Sequence, residues 1–160
     1  MVKKVTKRLN LRKMLNKVDP SEKSEVKKAV GNHLLKRIGD YLDEQRSPVT
    51  GGRFTPLKKK YREFKKKSGK GTDADLFFDG DMQSQLQYRE YRDGIEIGIF
   101  DDTEAQKADN HNKNSAKSKK TAVPQRQFIP YDKEKGRRSS FHTELRSEVE
   151  KIIDSYASED

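Results

Sequence analysis

The chain contains no cysteine and no tryptophan among its 160 residues, and only 30% of them are hydrophobic. The absence of cysteine excludes disulfides, thiolate metal sites and a cysteine nucleophile. Globular domains usually contain roughly 45–50% apolar residues when glycine is counted. Part of this chain is therefore expected to stay solvated or to become buried only against a partner. This shortage favours a protein completed by assembly over a self-sufficient enzyme.

Long apolar runs are also missing. No run approaches the roughly 18–20 residues that span a bilayer. The segment from Met1 to Arg8 is basic and lacks the apolar stretch of a signal peptide. The sequence therefore predicts a chain with no membrane-spanning segment and no membrane among its partners, made and kept in the cytoplasm or packaged from there into a particle.

Positive charge is in excess, with 36 lysines and arginines against 26 acidic residues and a formal net charge of +10. Such an excess attracts acidic partners over long distances. Nucleic acid, an acidic membrane surface and an acidic protein ring all fit this charge, and charge alone does not choose among them.

The first two segments are predicted to be an arm and a long helix. Residues 1–19 form a basic N-terminal arm with weak helical periodicity, which is expected to order on a partner. Deleting residues 1–18 should then leave the thermal transition nearly unchanged. Asp19 and Pro20 mark a helix start. An amphipathic helix over about 21–46 follows, because apolar residues recur at spacings of three and four: Val26, Val30, Leu34, Leu35, Ile38 and Leu42.

A second helix, short and strongly basic, is predicted at about 56–66, with Tyr61 and Phe64 among its cations. These cations, with Arg8 and Arg12 of the arm, are candidates for contact with DNA or an acidic partner: Lys58, Lys59, Lys60, Arg62, Lys65, Lys66 and Lys67. A solvated basic face with both aromatic side chains in the core accounts for the pattern equally well.

A β-hairpin is predicted around Asp93 and Gly94, because Asp-Gly between alternating runs favours a two-residue turn. With that turn, Arg92 lies opposite Ile95 and Tyr88 lies opposite Ile99. The apolar residues of the hairpin then share one face that can cover the long helix: Leu86, Tyr88, Ile95, Ile97 and Ile99.

The remaining chain is predicted to contain a polar loop at 101–121, an extended segment at a sheet edge at 122–130, and a helix at about 141–157 capped by Ser139 or Ser140. The fold class is α+β. A small antiparallel sheet with a central hairpin packs against the long N-terminal helix and the C-terminal helix, in a single domain over 20–158.

The sequence gives little indication of a catalytic site. The three histidines, His33, His111 and His142, are far apart in sequence, and helix packing or a solvated loop explains them better than catalysis. An acidic run over 73–81 does not have the spacing of a calcium loop. No cofactor, no metal and no enzymatic activity are expected, and a metal-dependent nuclease is the weakest alternative.

Several segments, in this order, resemble the phage virion morphogenesis and tail-completion family of neck proteins, over roughly residues 30–155. The resemblance rests on Gly51 to Leu57 with Tyr61 and Lys65, on Leu76 to Met82, on Ile97-Gly98, on His111 in the polar loop, and on Val123 to Ile129. The sequence departs from the family pattern at the aspartate beside Gly80, in the loop around His111, and in its additional basic arm.

The resemblance implies a structural protein of a tailed phage that completes the tail or connects head and tail, by ring assembly around the DNA channel. It implies a virion location at the neck or tail end, other neck, connector or tail proteins as partners, and no catalytic residues. Arg126, Phe128, Ile129 and His111 are then candidates for the interface between subunits, with Arg126 either an exposed edge charge or one half of an ion pair. In this hypothesis the basic arm docks on an adjacent ring or on the packaged DNA. A sequence-independent nucleic-acid-binding protein is the alternative.

Overall fold

The computed structural model describes residues 4–56, 58–69, 84–112, 126–130 and 140–157. Their elements are, in chain order, β1 (Val5–Asn10), α1 (Arg12–Leu15), a 3-10 turn (Pro20–Glu22), α2 (Lys23–Asp43), α3 (Lys59–Lys67), β2 (Leu86–Tyr91), β3 (Gly94–Ile99), α4 (Asp102–Asn112) and α5 (Thr143–Ser155). The strands form one antiparallel sheet in the order β1-β3-β2. The predicted α+β class is confirmed, since α2 packs against both the sheet and α5.

The N-terminal segment differs from the predicted arm. Residues 5–10 form strand β1, which pairs with β3 from Val5 opposite Ile99 to Asn10 opposite Gly94. Downstream of the strand, Leu11, Leu15 and Val18 are at most 3% exposed and belong to the main hydrophobic core. The helical spacing of apolar residues in this segment therefore corresponds to α1 only. Val5 and Leu9 instead follow the two-residue period of a strand.

The hairpin is confirmed, but its register is shifted by two residues. Tyr88 lies opposite Ile97, and Tyr91 lies opposite Gly94, so Arg92 and Asp93 form the turn. Because side chains in a strand alternate with a period of two, a shift of two leaves the same residues on the core face. Ile97 is accordingly fully buried, as predicted.

Gly94 is a strand residue instead of a turn residue because β1 passes very close to β3. A Cβ atom at Gly94 would clash with the carbonyl oxygen of Leu9, and one at Gly98 would clash with that of Val5. Gly98 also has a φ of +146°, a conformation that disfavours other residues. Both glycines therefore allow β1 to dock.

The long helix is confirmed as α2. Asp19 begins the preceding turn, its Oδ1 accepting a hydrogen bond from the Ser21 N–H at 2.9 Å, and this bond lowers the pKa of Asp19. The predicted stripe faces the core, with five side chains at most 1% exposed: Val26, Val30, Leu34, Ile38 and Leu42. At Gly31 the helix contacts the Tyr88 ring so closely that a Cβ would lie 2.6 Å from its carbon atoms.

The predicted polar loop at 101–121 is wrong for its first half, where α4 forms. Asp101 precedes the helix, and its Oδ1 accepts the Glu104 N–H at 2.9 Å. Ala105 and Ala108 are fully buried, and α4 packs against β1 and β3. Small side chains provide this contact, whereas the loop was predicted from a shortage of large apolar residues. Residues 113–121 lie outside the described part.

The C-terminal helix is confirmed as α5, with Leu145, Val149 and Ile153 at most 6% exposed. Its first turn is capped by His142, whose Nδ1 accepts the Glu144 N–H at 3.4 Å, and not by the predicted Ser140; Ser139 lies outside the described part. The predicted edge strand at 122–130 is not a strand over its described part, 126–130, which is buried instead. Prolines and a short apolar run do not distinguish an edge strand from a buried connecting segment.

Candidate functional site

Both outer edges of the sheet are open in the described structure. The central strand β3 is paired on both sides, and neither β1 nor β2 has a second strand beside it among the residues described. Near the end of β2, Lys27 Nζ donates hydrogen bonds to the carbonyl oxygens of Tyr91 (2.8 Å) and Arg92 (3.0 Å). A strand edge without a neighbouring strand is a surface on which another chain can pair.

Arg8, a predicted contact for DNA or an acidic partner, lies on the outer face of the sheet. Its Nε is 3.4 Å from Oε1 of Glu96, and Lys4 Nζ is 2.9 Å from the same oxygen. Burial raises the pKa of Glu96, but the two cations outweigh burial and hold that pKa below its ordinary value. The charge of Arg8 is therefore partly matched within the chain, which weakens it as a contact for an external anion.

Arg12, the other predicted contact of the N-terminal segment, is exposed at the start of α1. It lines an open groove between α1 and α5, whose opposite side carries Glu150 and Asp154. Lys17 Nζ lies 3.7 Å from Asp154 Oδ1 across this groove. Cations and carboxylates are thus mixed here, without a surface of one sign.

The basic helix α3 presents most of the remaining predicted contacts to solvent. Six basic residues are exposed: Lys58, Lys59, Lys60, Arg62, Lys66 and Lys67. Lys65 and Tyr61 also lie in α3, but their side chains are outside the described part of the structure. Phe64 is 54% exposed, so its predicted alternative place in the core is wrong. This helix carries the most uniform charge in the described structure.

Arg126 is not an exposed edge charge in the described structure. It is only 4% exposed, and it donates hydrogen bonds from Nε to the Thr55 carbonyl (2.9 Å) and from Nη2 to the Pro56 carbonyl (3.2 Å). Next to it, the Gln127 carbonyl accepts a hydrogen bond from Ser47 Oγ at 2.5 Å. The 126–130 segment is thus fastened to the loop that leads into α3.

The other predicted interface residues have different outcomes. Phe128 is 1% exposed and Ile129 is fully buried, and both belong to the main core. Their apolar character serves packing within the chain, so a charged substitution there tests stability before it tests assembly. His111 lies in the last turn of α4 and not in a loop, and its side chain is outside the description.

A polar cluster between α2 and α5 was not predicted. Glu148 Oε1 lies 2.8 Å from His33 Nε2 and accepts a hydrogen bond from Arg37 Nε at 3.0 Å. One turn away, the Tyr41 hydroxyl donates to Glu144 Oε2 at 2.6 Å. The sequence contained a signal for this cluster. His33, Arg37 and Tyr41 recur every four residues, as do Glu144 and Glu148, so each set lies on one face of its helix.

The pKa shifts in this cluster indicate a structural joint. Burial, followed by the hydrogen bond to Glu144, raises the pKa of Tyr41 to about 12. The same bond lowers the pKa of Glu144. Burial lowers the pKa of Arg37, but its contacts with Asp40 and Glu148 outweigh burial and raise it. Tyr41 is thus held neutral, and Glu144 and Arg37 are held charged, by contacts that join α2 to α5.

Replacing Tyr41 with phenylalanine should remove part of the stability loss in alkali. Because the pKa of Tyr41 is raised in the folded chain, the neutral phenol contributes fully to stability below the pKa of the unfolded chain, near 10. This contribution disappears as pH rises towards about 12. Two pKa units correspond to about 2.7 kcal/mol. Urea unfolding across this pH range should therefore show a steeper loss for the parent chain than for Tyr41→Phe. Equal slopes would contradict the buried, hydrogen-bonded phenol.

Metal and membrane features are absent from the described residues. No group of three or more histidine, aspartate or glutamate side chains in that part has an arrangement that could hold a metal ion. The acidic run at 73–81 lies outside it. Of the described helices, none has both the length and the apolar character needed to cross a bilayer.

The chain belongs to the phage virion morphogenesis family, whose family model matches residues 2–156. The resemblance inferred from the sequence is therefore confirmed over nearly the whole chain, including the N-terminal segment. Membership indicates a structural or assembly role in a phage, with other phage proteins as partners and association with the virion. No curated protein and no solved structure matches the chain.

Proposed function

We propose that the chain is a structural protein of a tailed-phage particle that completes the tail or joins it to the head, by assembling into a ring around the DNA channel. The observation that carries this proposal beyond family membership is the pair of open strand edges, β1 on one side of the sheet and β2 on the other. Two different binding edges on one subunit favour a head-to-tail contact, which forms a ring when the rotation closes.

The composition supports completion by assembly. With 30% hydrophobic and 39% charged residues, the chain has little apolar material beyond its single described core. Backbone hydrogen bonds across a strand edge provide contact without a large apolar surface, and side chains on the two faces provide specificity. A ring joined through β1 and β2 therefore suits this sequence better than a broad hydrophobic interface.

Cysteine cross-linking tests the contact directly, because the chain has no cysteine of its own. Thr6 on β1 and Gln87 on β2 both lie opposite Gly98. They are two strand spacings, or about 10 Å, apart within one chain. A disulfide requires Cα atoms within about 7 Å, so a bond between Thr6→Cys and Gln87→Cys must join different chains. Oxidation should give a ladder of covalent oligomers that ends at one ring size.

Two controls accompany the ladder. The first control, Thr6→Cys alone, should give at most a covalent dimer. The second control combines Gln87→Cys with Lys28→Cys, which places one thiol at an exposed position on α2, away from the strand edge. Moving the β2 cysteine to Arg89 samples a different register. Absence of a ladder from every β1–β2 pairing, under conditions where the chain is oligomeric, would rule out the strand-edge contact.

The role in the particle is tested by removing the gene from the encoding phage and supplying it again from a plasmid. The expected result is accumulation of heads and tails that fail to form complete particles, with recovery on complementation. Electron microscopy of recovered particles should show the protein as a ring at the neck or the tail end. Normal infectious particles made without the chain would overturn the proposed function.

A further inference from the structure

Positive charge is concentrated in α3 far more than elsewhere in the described structure. Its nine residues contain six basic residues and one acid, Glu63. The resulting surplus of five charges is half of the formal net charge of the chain, +10. The excess charge of this protein is thus to a large extent a local property of one exposed helix.

The cations of α3 are not matched within the described part of the chain. Lys58, Lys59, Lys60, Arg62, Lys66 and Lys67 make no ion pair with another described residue. On the sheet and α2, by contrast, Arg8 and Lys4 are paired with Glu96, and Arg37 is paired with Glu148. Within the described structure, the basic face of α3 is therefore available to an external anion.

The helix is also electrostatically unfavourable when alone. Lys59 and Lys60 occupy its first turn, Lys58 precedes it without a side-chain cap, and no acid lies in that turn. Cations at this end oppose the positive end of the helix dipole. Arg62 and Lys66 repel each other at a spacing of four residues, and the single acid, Glu63, offsets only part of the repulsion along the helix. An anion bound along this face would relieve both effects.

The row of cations on α3 spans several phosphates of a DNA backbone. Lys59, Arg62 and Lys66 lie on one face of the helix, at spacings of three and four residues. From the first to the last, the helix rises about 10 Å. Successive base pairs of duplex DNA are about 3.4 Å apart, so about three steps fit this length. The row is therefore long enough to reach several phosphates of one strand.

A protein partner fits this face less well. Interfaces between proteins are depleted in lysine, and ordering each long lysine side chain costs about 1.5–2 kcal/mol of entropy. Contacts of lysine with phosphate draw much of their free energy from released counterions. A helix that is mainly lysine therefore favours nucleic acid over an acidic protein surface.

We propose that α3 binds the phosphate backbone of duplex DNA without sequence preference, through Lys59, Arg62 and Lys66. This rests on the proposed function and deepens it, because a ring around the DNA channel would present α3 to the packaged duplex. The binding itself is a property of the single subunit and does not require a ring.

The test compares two triple variants that each remove three positive charges. One is Lys59→Gln, Arg62→Gln, Lys66→Gln on α3. The matched control is Lys28→Gln, Lys36→Gln, Lys151→Gln, whose three lysines are exposed on α2 and α5. Fluorescence anisotropy with a short labelled duplex across a potassium chloride series measures the dissociation constant and its salt dependence. Circular dichroism establishes that both variants remain folded.

Loss of three phosphate contacts should weaken binding at low salt on the order of a hundredfold and reduce the slope of log K against log salt by about 2.7. The control should retain nearly the parent slope. Equal losses in the two variants would assign binding to net charge and overturn the site. Failure of the parent chain to bind the duplex, or its preference for polyglutamate, would also overturn it.

Two further measurements distinguish duplex binding by α3 from single-strand binding and from a role of α3 in assembly. Phe64→Ala should leave the affinity for the duplex unchanged. If the parent chain instead prefers a single strand of equal length, and Phe64→Ala markedly lowers the affinity for that strand, the binding depends on base stacking. That result would contradict duplex binding. Complementation of the gene deletion by the α3 variant reports on assembly separately from DNA binding. Ring formation with lost DNA affinity would therefore support the site on α3 and leave the proposed function intact.

Discussion

Deleting residues 1–18 is expected to unfold the domain. The deletion removes β1 and four side chains that are at most 8% exposed: Val5, Leu11, Leu15 and Val18. At about 1.5–3 kcal/mol for each buried aliphatic side chain, the loss is of the order of 6–12 kcal/mol. This is comparable to the whole stability of a typical domain, about 5–15 kcal/mol. Thermal unfolding followed by circular dichroism should show no cooperative transition.

The matched control removes charge from the same segment without touching the core. Arg12→Gln with Lys13→Gln alters two exposed residues of α1. Its melting temperature should stay within a few degrees of that of the parent, since surface substitutions are usually within about 0.5 kcal/mol. A deletion variant that still melts cooperatively near the parent temperature would contradict the place of β1 in the sheet.

Truncating Phe128 to alanine is expected to destabilise the chain by about 3–5 kcal/mol, as is usual for a buried phenylalanine. Its side chain is 1% exposed within the main core. For a chain of this length each kcal/mol lowers the melting temperature by roughly 2–4 °C, so the drop should be on the order of 10 °C. Denaturant unfolding measures the free energy directly.

Phe64 provides the same substitution in the opposite environment, because it is 54% exposed on α3. Phe64→Ala should therefore change the free energy of unfolding by less than about 1 kcal/mol. A Phe128→Ala variant that is as stable as Phe64→Ala, but fails to enter particles, would restore Phe128 as an interface residue and contradict its place in the core.

The sequence predicted the elements whose information is local. The period of apolar residues in α2 and α5, and the alternation around Asp93, were sufficient to find two helices and a hairpin. Strand β1 was missed because its identity depends on pairing with β3, which lies far along the chain. Helix α4 was missed because its buried contacts are alanines, which carry little hydrophobic signal.

The sequence predicted the polar residues that are exposed, but not the polar residues that are buried. Exposed lysines on α3 follow directly from composition. Arg126 reads as a surface charge, and only the tertiary structure shows that carbonyl oxygens of Thr55 and Pro56 satisfy it. The pairing of Glu148 with His33 and Arg37 likewise depends on how α2 crosses α5. Such long-range partners are set by packing, which a local pattern does not encode.

The position of β1 has a consequence for biosynthesis. The strand leaves the ribosome before α2, α3 and β2, yet its partner β3 is translated after all of them. Val18, just beyond α1, bridges to Ala157 after α5, so the last helix also closes against the first segment. A chain that ends before β3 therefore lacks a finished sheet, and one that ends after β3 but before Ala157 lacks the contact that closes the last helix against the first segment.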